Sequence, residues 1–407
     1  MDFNPLSPEA RANPYPGYEW LRREAPVHEL EPFGVFALSR HSDILAALKS
    51  PEIFSSSGMR AMMSGQTGMM GSTTEPGRMG QITQANSLIS SDGEIHDRLR
   101  AVVNRGFTPR RIAELEPRVR KVTAEAIDSI ASAGEMDLVR DLAIPVPVRM
   151  IADILGVPGE RLRDFKRWSD AIIESATGVG QDDRAREHFK AREEFLAFFD
   201  RAIEARRKSP GGDLISTLVR AEGAEDGSPS LSPDEVLSFT VLLLIAGNET
   251  TTNLIGNTLL ALTDHPDQME KVCANPGLIP NLVEEALRFD SPVQAIFRQT
   301  TRDVDVAGTM IPEGKLVMLL LGSANRDEDW LPNADRFDVT RELKGHIGFG
   351  FGVHFCLGAS LARLEARVAL ETLLSRCRRI ERTTETVEWI DSLILRGPKS
   401  LPLRFDA

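Results

Sequence analysis

Cysteine is scarce in this sequence. The 407 residues contain three cysteines, Cys273, Cys356 and Cys377. So small and odd a number in a long chain argues against a disulfide framework and favours a reducing compartment. We therefore expect a cytoplasmic protein without structural disulfides.

Long runs of one residue class are also missing. No run of Lys and Arg resembles a nucleic-acid-binding arm, and the formal net charge is −12. These features predict no polyanionic partner. The apolar stretch at 241–246 is far shorter than the roughly 20 residues that a membrane span needs. The first twenty residues lack a basic region followed by an apolar one, so we expect neither signal peptide nor membrane anchor.

The hydrophobic pattern predicts a mainly α fold with small β-sheets. A 3.6-residue period dominates from 95 to about 207. Ser232, Pro233 and Glu235 form a capping-box signature that predicts a long helix over 232–262. Extended runs between turn residues predict a hairpin, 27–30 with 35–38, and short strands at 304–306, 316–321, 393–395 and 401–403. No segment resembles an interdomain linker, so we expect residues 1–407 to form a single domain.

The segment 55–91 is rich in Gly, Ser, Thr and Met and has no steady period, which predicts a long loop. Its methionines are Met59, Met62, Met63, Met69, Met70 and Met79. One interpretation is a functional loop whose soft apolar side chains contact the substrate. The other is a disordered surface excursion.

A lone cysteine in a glycine-rich loop is the strongest chemical signal. Cys356 lies in the run 349–358, Phe-Gly-Phe-Gly-Val-His-Phe-Cys-Leu-Gly. Glycines let the backbone approach a flat ligand closely, and the start of the following helix would stabilise a thiolate. No second Cys or His stands at a zinc-binding spacing. A single-thiolate metal site favours haem over zinc, although a free cysteine in a glycine-rich turn is an alternative.

The same run resembles the haem-binding signature of the cytochromes P-450, Phe-x-x-Gly-x-x-x-Cys-x-Gly. The matching residues are Phe349, Gly352, Cys356 and Gly358. The resemblance implies a cytochrome P-450-like fold that binds heme b (iron protoporphyrin IX). It places the haem between the long central helix and the helix after the Cys loop, with Cys356 as the axial ligand of the iron.

A second motif, Ala-Gly-Asn-Glu-Thr at 246–250, resembles the oxygen-activation motif of that family. The small residues Ala246 and Gly247 leave room for a diatomic ligand. A threonine hydroxyl inside a helix can open it locally, and an acid beside it can relay protons. The resemblance implies that Thr250 stabilises the activated oxygen and that Glu249 helps to deliver protons from solvent. The alternative is a helix with a polar kink.

Glu285 and Arg288 stand three residues apart on one helix face, which allows an ion pair. The same spacing occurs at Glu19/Arg22, Glu75/Arg78, Glu160/Arg163 and Glu204/Arg207. Only Glu285/Arg288 falls where the family keeps its structural Glu-Arg pair, between the long helix and the β segment. Arg336 resembles the third member of that network. The resemblance implies that these residues support the Cys loop.

Two haem propionates need cationic donors when they are buried. His96, Arg100, Arg298 and His354 stand at family-like positions and are predicted to supply them. A surface salt bridge or a core histidine is the alternative for each. Substrate contacts are expected from the Met-rich segment and from apolar residues of three other segments, namely Leu243, Leu244, Val293, Ile296, Leu393 and Ile394.

The resemblance implies a haem-thiolate monooxygenase that inserts one atom of dioxygen into a hydrophobic small or medium-sized organic substrate, by hydroxylation or epoxidation. Because no flavin or iron–sulfur segment is recognised, a ferredoxin or flavodoxin with an NAD(P)H-dependent reductase should supply electrons. On this chain, Arg363 and Arg367, with Arg110 and Arg111, could form a basic patch on which that electron donor docks. The alternatives are a peroxide-driven haem peroxygenase and, in another class, a non-catalytic haem ligand sensor or carrier.

Overall fold

The structure of this chain, a computed structural model, describes residues 3–31, 33–63, 82, 85–177, 185–222 and 230–406. The chain divides into two compact units. The larger unit comprises Met1–Phe54, Ile112–Pro147 and Glu249–Ala407, and the smaller unit comprises Ser55–Arg111 and Val148–Asn248. The expectation of a single domain stays a prediction.

Helices make up most of the structure, which confirms the mainly α fold. The larger unit contains Pro8–Ala12, Tyr15–Glu24, His41–Lys49, Glu116–Asp128, Pro266–Ala274, Ile279–Phe289, Leu321–Ala324 and Ala359–Arg376. The smaller unit contains Ser57–Met63, Gly93–Val103, Leu162–Thr177, Ala185–Lys208 and Leu214–Val219. The helices Pro109–Glu114, Pro145–Ile154 and Pro233–Asp264 each have residues in both units.

The described strands form small sheets. They are β1 (Val27–Leu30), β2 (Val35–Leu38), β3 (Phe54–Ser55), β4 (Glu135–Asp137), β5 (Ile296–Thr300), β6 (Val304–Val306), β7 (Thr309–Ile311), β8 (Leu316–Leu319), β9 (Arg378–Arg382) and β10 (Pro402–Asp406). One sheet has the order β1-β2-β8-β5-β3, another the order β4-β10-β9, and β6 pairs with β7. The predicted hairpin is confirmed, since β1 and β2 pair antiparallel from Val27↔Leu38 to Leu30↔Val35.

The strand predicted at 393–395 is wrong. This segment makes only one isolated bridge, between Val293 and Leu395. The Ser392 hydroxyl accepts the backbone N–H groups of Ile394 at 3.3 Å and Leu395 at 3.1 Å. A serine hydroxyl that accepts hydrogen bonds from two successive backbone N–H groups forms a local turn. Those N–H groups cannot then pair with a neighbouring strand.

The long helix begins as its capping signature predicts and ends two residues later than expected, at Asp264. The backbone N–H of Ser232 donates to the Glu235 carboxylate at 2.8 Å, and the Glu235 N–H donates to the Ser232 hydroxyl at 3.2 Å. This reciprocal pair satisfies two N–H groups that have no partner within the helix. Within the described residues, no helix combines the length and apolarity needed to cross a membrane.

Part of the segment predicted as a loop is helical. The helix Ser57–Met63 buries Met59 and Met62, which are 8% and 1% exposed. Flexible methionine side chains fill irregular gaps in a core well, so here they serve packing. Met69, Met70 and Met79 lie outside the described residues. A role of the segment in substrate contact stays a prediction.

Candidate functional site: the Cys356 loop

The Cys356 loop is a compact turn held by its own backbone. The Cys356 N–H donates to the Phe349 carbonyl at 3.0 Å, and the Gly350 N–H donates to the Ile347 carbonyl at 2.9 Å. Gly350 and Gly352 have φ values of +70° and +73°, in the left-handed region that favours glycine. The half-buried Cys356 therefore sits at the end of a defined turn, three residues before the helix Ala359–Arg376 begins.

Two neighbouring helices contact this loop closely at glycine positions. A Cβ at Gly348 would lie 2.8 Å from the Leu287 carbonyl oxygen, and a Cβ at Gly352 would lie 2.9 Å from the Leu48 carbonyl oxygen. Backbone oxygens cannot move aside as a flexible side chain can. These glycines therefore allow the helices Ile279–Phe289 and His41–Lys49 to approach the loop closely.

We expect Gly348→Ala to destabilise the protein by about 1–3 kcal/mol, the usual cost of forcing an extra carbon into a packed site. The added methyl group must displace the loop or the carbonyl of Leu287. The free energy of unfolding in urea measures this change. Gly212→Ala is the matched control, because a Cβ there meets no atom within 4 Å. Equal stability of the two variants would contradict the prediction.

The predicted Glu-Arg pair is buried beneath the loop. Glu285 and Arg288 are both 0% exposed, and two hydrogen bonds of 2.8 Å join their side chains. Arg288 also donates to the carbonyl oxygens of Asn325 at 3.0 Å and Ala334 at 2.6 Å. Arg336, expected as the third member, takes part through its backbone carbonyl, which lies 3.0 Å from Arg288 Nη2.

Asn325 links this buried pair to the Cys loop, and sequence reasoning missed it. Its carbonyl oxygen accepts from Arg288, and its side-chain Oδ1 accepts from the Ile347 N–H at 2.8 Å. Its Nδ2 donates to the Ser291 hydroxyl at 2.9 Å. A single asparagine in an irregular segment has no spacing pattern, so only the fold reveals this link.

The predicted basic patch is largely neutralised. Arg363 pairs with Glu284, with its Nε 2.6 Å and its Nη2 2.8 Å from the carboxylate oxygens. Arg367 pairs with Glu116 at 2.8 Å and with Glu371 at 2.9 Å. Arg110 and Arg111 are exposed and belong to the smaller unit. Arg363 and Arg367 each have an acidic partner far away in sequence, so a basic docking patch would depend less on them, and the patch itself stays a prediction.

Within the long helix, the partly accessible positions follow a helical period. Ala246 is exposed and Leu242, Ile245, Glu249 and Thr250 are half-buried. Spacings of three and four residues place side chains on one helix face. Glu249 and Thr250 thus belong to the accessible face.

Gly247, Asn248 and Thr252, which lie next to these accessible positions, are held by contacts with other segments. A Cβ at Gly247 would lie 2.7 Å from Ile151 Cδ1, so the missing side chain lets two helices pack closely. Gly247 is itself half-buried, so its role in leaving room for a diatomic ligand stays a prediction, while Ala246 is the exposed small residue. Asn248 Nδ2 donates to Ser169 Oγ at 2.8 Å, and Thr252 Oγ1 donates to the Ala143 carbonyl at 3.1 Å.

Two of the predicted substrate residues face the core. Leu243 and Leu244 are 8% and 0% exposed, because a rotation of 100° per residue turns them away from the accessible face. Leu242 and Ile245 occupy that face instead. A substrate contact of Leu243 and Leu244 stays a prediction that their burial does not favour, since a run of apolar residues does not show which side of the helix is covered.

The other predicted substrate residues come together within the larger unit. The backbone N–H of Gln294 donates to the Ile394 carbonyl at 2.8 Å, which joins the two apolar segments. Val293, Ile296, Leu393 and Ile394 are all half-buried. They provide a partly accessible apolar surface.

The predicted cations are divided between the units. His96 and Arg100 lie on the helix Gly93–Val103 of the smaller unit, and His96 is 2% exposed. Arg298 on β5 and the half-buried His354 of the Cys loop belong to the larger unit. Arg298 is 4% exposed and donates to the Phe297 carbonyl at 2.9 Å.

The Cys loop fits a flat, thiolate-bound cofactor. Within the described residues, no cluster of three or more His, Cys, Asp or Glu side chains could hold a metal ion. A Cβ at Gly358 would meet no atom within 4 Å, so the start of the helix beside Cys356 leaves space for a planar group. Phe355 is 40% exposed, an unusual exposure for so large an apolar side chain. One cysteine sulfur beside partly exposed phenylalanine rings is a donor set that suits haem.

Comparisons with known proteins agree with this geometry. The model of the family Cytochrome P450 matches residues 71–275 and 277–405. The chain is 40% identical over 396 residues to Vitamin D(3) 25-hydroxylase of Pseudonocardia autotrophica, covering 96% of this chain and 93% of that protein.

Solved structures are similar over nearly the whole chain. Cytochrome P450 CYP109Q5 from Chondromyces apiculatus has a TM-score of 0.88 and 41% identity, covering 99% of this chain and 98% of that chain. CYP109E1 from Bacillus megaterium, solved in complex with corticosterone, has a TM-score of 0.85 and 35% identity. That match covers 98% of this chain and 100% of the other.

Proposed function

Because this chain belongs to the cytochrome P450 family, whose members are monooxygenases, we propose that it inserts one atom of dioxygen into a hydrophobic small or medium-sized organic molecule. The reaction would be a hydroxylation or an epoxidation. The observation that carries this proposal is the half-buried Cys356 in a glycine turn at the start of a helix, inside the matched residues 277–405.

Family enzymes bind heme b through a cysteine thiolate, and Cys356 is the residue that would supply it. When bound, this group supplies the activation of dioxygen, which electron donation from the thiolate favours. The start of the helix Ala359–Arg376 stabilises negative charge on the sulfur. Residues that would contact the group are Phe349, Gly352, Gly358 and Ala246, and His96, Arg100, Arg298 and His354 would bind the propionates.

Glu249 and Thr250 are proposed to move protons. Both are half-buried on the accessible face of the long helix. The Glu249 carboxylate would take protons from solvent, and the Thr250 hydroxyl would hold one at its oxygen next to the reacting oxygen atoms. An acid and an alcohol in sequence form a suitable relay.

The substrate class rests on apolar surface. Val293, Ile296, Leu393 and Ile394 are half-buried, as are Leu242 and Ile245 on the long helix. Such surface favours apolar molecules over charged ones. Vitamin D(3) and corticosterone, named for one relative and one similar structure, are apolar molecules of medium size. They are suitable first compounds for a binding screen.

A separate electron donor is part of the proposal. We propose a ferredoxin or flavodoxin with its NAD(P)H-dependent reductase. Phe351 and Val353, 40% and 49% exposed beside Cys356, offer apolar surface for contact. Since Arg363 and Arg367 are paired, electrostatic attraction would rest less on them than the sequence suggested.

Reaction under ¹⁸O₂ tests the function. With a substrate found by screening, the wild-type product should carry one ¹⁸O atom. We expect Thr250→Ala to form less product, by roughly 100-fold or more for the loss of a proton-transfer group, while consuming reductant and releasing hydrogen peroxide. Thr252→Ser, buried and bonded to Ala143, is the control and should couple normally. Product oxygen derived from water would refute the proposed function, and unchanged coupling would remove Thr250 from the relay.

A further inference from the structure

A partly buried charge cluster lies beside the Cys loop, and the side chain of its Arg363 is 36% exposed. Glu284, on the helix Ile279–Phe289, accepts from Arg363 through both carboxylate oxygens, at 2.6 Å and 2.8 Å. Its Oε2 also lies 3.0 Å from His346 Nε2. The side chains of Glu284 and His346 are 26% and 8% exposed. Arg363 stands on the helix that follows Cys356, and His346 stands on the segment that leads into the loop.

The proton positions in this cluster follow from its hydrogen bonds. The Gly348 N–H donates to His346 Nδ1 at 3.3 Å, so Nδ1 is an acceptor and Nε2 carries the hydrogen that is donated to Glu284. Burial alone would raise the pKa of Glu284, but hydrogen bonds from Arg363 and His346, together with the positive charge of Arg363, lower it to about 2. Glu284 is therefore ionised at neutral pH and compensates Arg363.

Arg363 connects this cluster to the sulfur. Its guanidinium carbon lies 4.6 Å from the centroid of the Phe349 ring, and the Phe349 carbonyl accepts the Cys356 N–H at 3.0 Å. The hydrogen bond from Arg363 to Glu284 raises the pKa of Arg363, burial opposes this, and the charges of Glu284 and Cys356 raise it further. Arg363 therefore lies against the loop that carries Cys356, and Glu284 limits how far the positive charge of Arg363 reaches the sulfur.

We propose that Glu284 is a positioning residue that fixes Arg363 and balances its charge, and thereby sets the reduction potential of the haem that Cys356 would bind. This inference rests on the proposed haem ligation by Cys356. Removing Glu284 would leave Arg363 uncompensated beside the thiolate, so the added electron would be stabilised. Removing Arg363 would leave Glu284 uncompensated and would have the opposite effect.

Redox titration of the haem protein tests this inference. We expect Glu284→Gln to favour the reduced state and Arg363→Gln to disfavour it, each by about three- to tenfold in the one-electron equilibrium; tenfold corresponds to about 59 mV. The double variant should return to within about twofold of wild type, because its net charge is restored. Arg363→Lys keeps the charge and should shift the potential less than Arg363→Gln.

Controls separate electrostatics from folding. Arg376→Gln removes a paired charge from the same helix, 20 residues beyond Cys356, and should leave the potential unchanged. A purely structural role predicts shifts of the same sign in both single variants, or none, and either result overturns the inference. The carbon monoxide spectrum of the reduced wild type is read separately: if it lacks the signature of thiolate ligation, the proposed function fails whatever the variants do.

Discussion

Replacing Cys356 by alanine is expected to abolish thiolate ligation of haem and with it product formation. The carbon monoxide complex of the reduced wild-type protein should show the strongly red-shifted absorption of a thiolate-bound haem, and the variant should lack it. The physical reason is that the Cys356 loop presents one sulfur donor and the described residues include no alternative metal-binding cluster. Activity should fall below detection, because the side chain that would hold the haem and donate electron density to it is gone.

The other two cysteines provide matched controls. Cys273 is exposed near the end of the helix Pro266–Ala274, and Cys377 is buried directly after the helix Ala359–Arg376. Neither lies in a glycine turn. Cys273→Ala and Cys377→Ala should keep the red-shifted band. A red-shifted band in Cys356→Ala, or an imidazole-like spectrum in the wild type, would contradict the assignment of Cys356.

Replacing Arg288 by alanine should be the most destabilising single change in the larger unit that does not touch the reacting groups. It removes both hydrogen bonds to Glu285 and leaves that carboxylate buried, and the carbonyls of Asn325 and Ala334 lose the hydrogen bonds that Arg288 donates to them. Breaking a buried ion pair in this way costs about 3–5 kcal/mol. Urea unfolding measures the loss, and haem content should fall with it, because Asn325 joins this network to the Cys loop.

Two variants show whether burial is responsible for this effect. Arg288→Lys keeps the charge but cannot reproduce the planar fork, so it should remain strongly destabilised. Arg404→Ala breaks a pair with Glu135 whose side chains are 68% and 61% exposed, and it should cost under about 1 kcal/mol. If Arg288→Ala and Arg404→Ala have similar unfolding free energies, the pair is not a structural anchor.

The five Glu-x-x-Arg spacings show how far a local pattern can be trusted. Glu204 and Arg207 do pair, but both are partly exposed, and Arg207 also binds Glu222. Arg22 binds Glu328 instead of Glu19. Glu75 and Arg78 lie outside the described residues, and among the pairs that the structure describes only Glu285/Arg288, selected by its position in the chain, is 0% exposed on both sides. Spacing permits an ion pair, whereas burial by distant segments decides whether it anchors the fold.

The features that the sequence determined by itself are local ones. Ser232 and Glu235 sufficed to locate the start of the long helix, and residues 27–38 sufficed for the hairpin, because capping and strand alternation depend on residues close together in the chain. The run 349–358 sufficed to predict the family and its cofactor for the same reason, since its glycines and its cysteine lie within ten residues.

Only the tertiary structure decided which surfaces are covered and which charges meet. It turned Leu243 and Leu244 into the core, placed Ile151 against Gly247, and joined Arg363 to Glu284 across 79 positions of sequence. Burial and long-range pairing depend on elements that come together only when the chain has folded, and no spacing within one segment encodes them. The candidate thiolate was therefore predictable from residues 349–358, while the residue that balances the charge of the nearby Arg363 comes from a helix in another part of the chain.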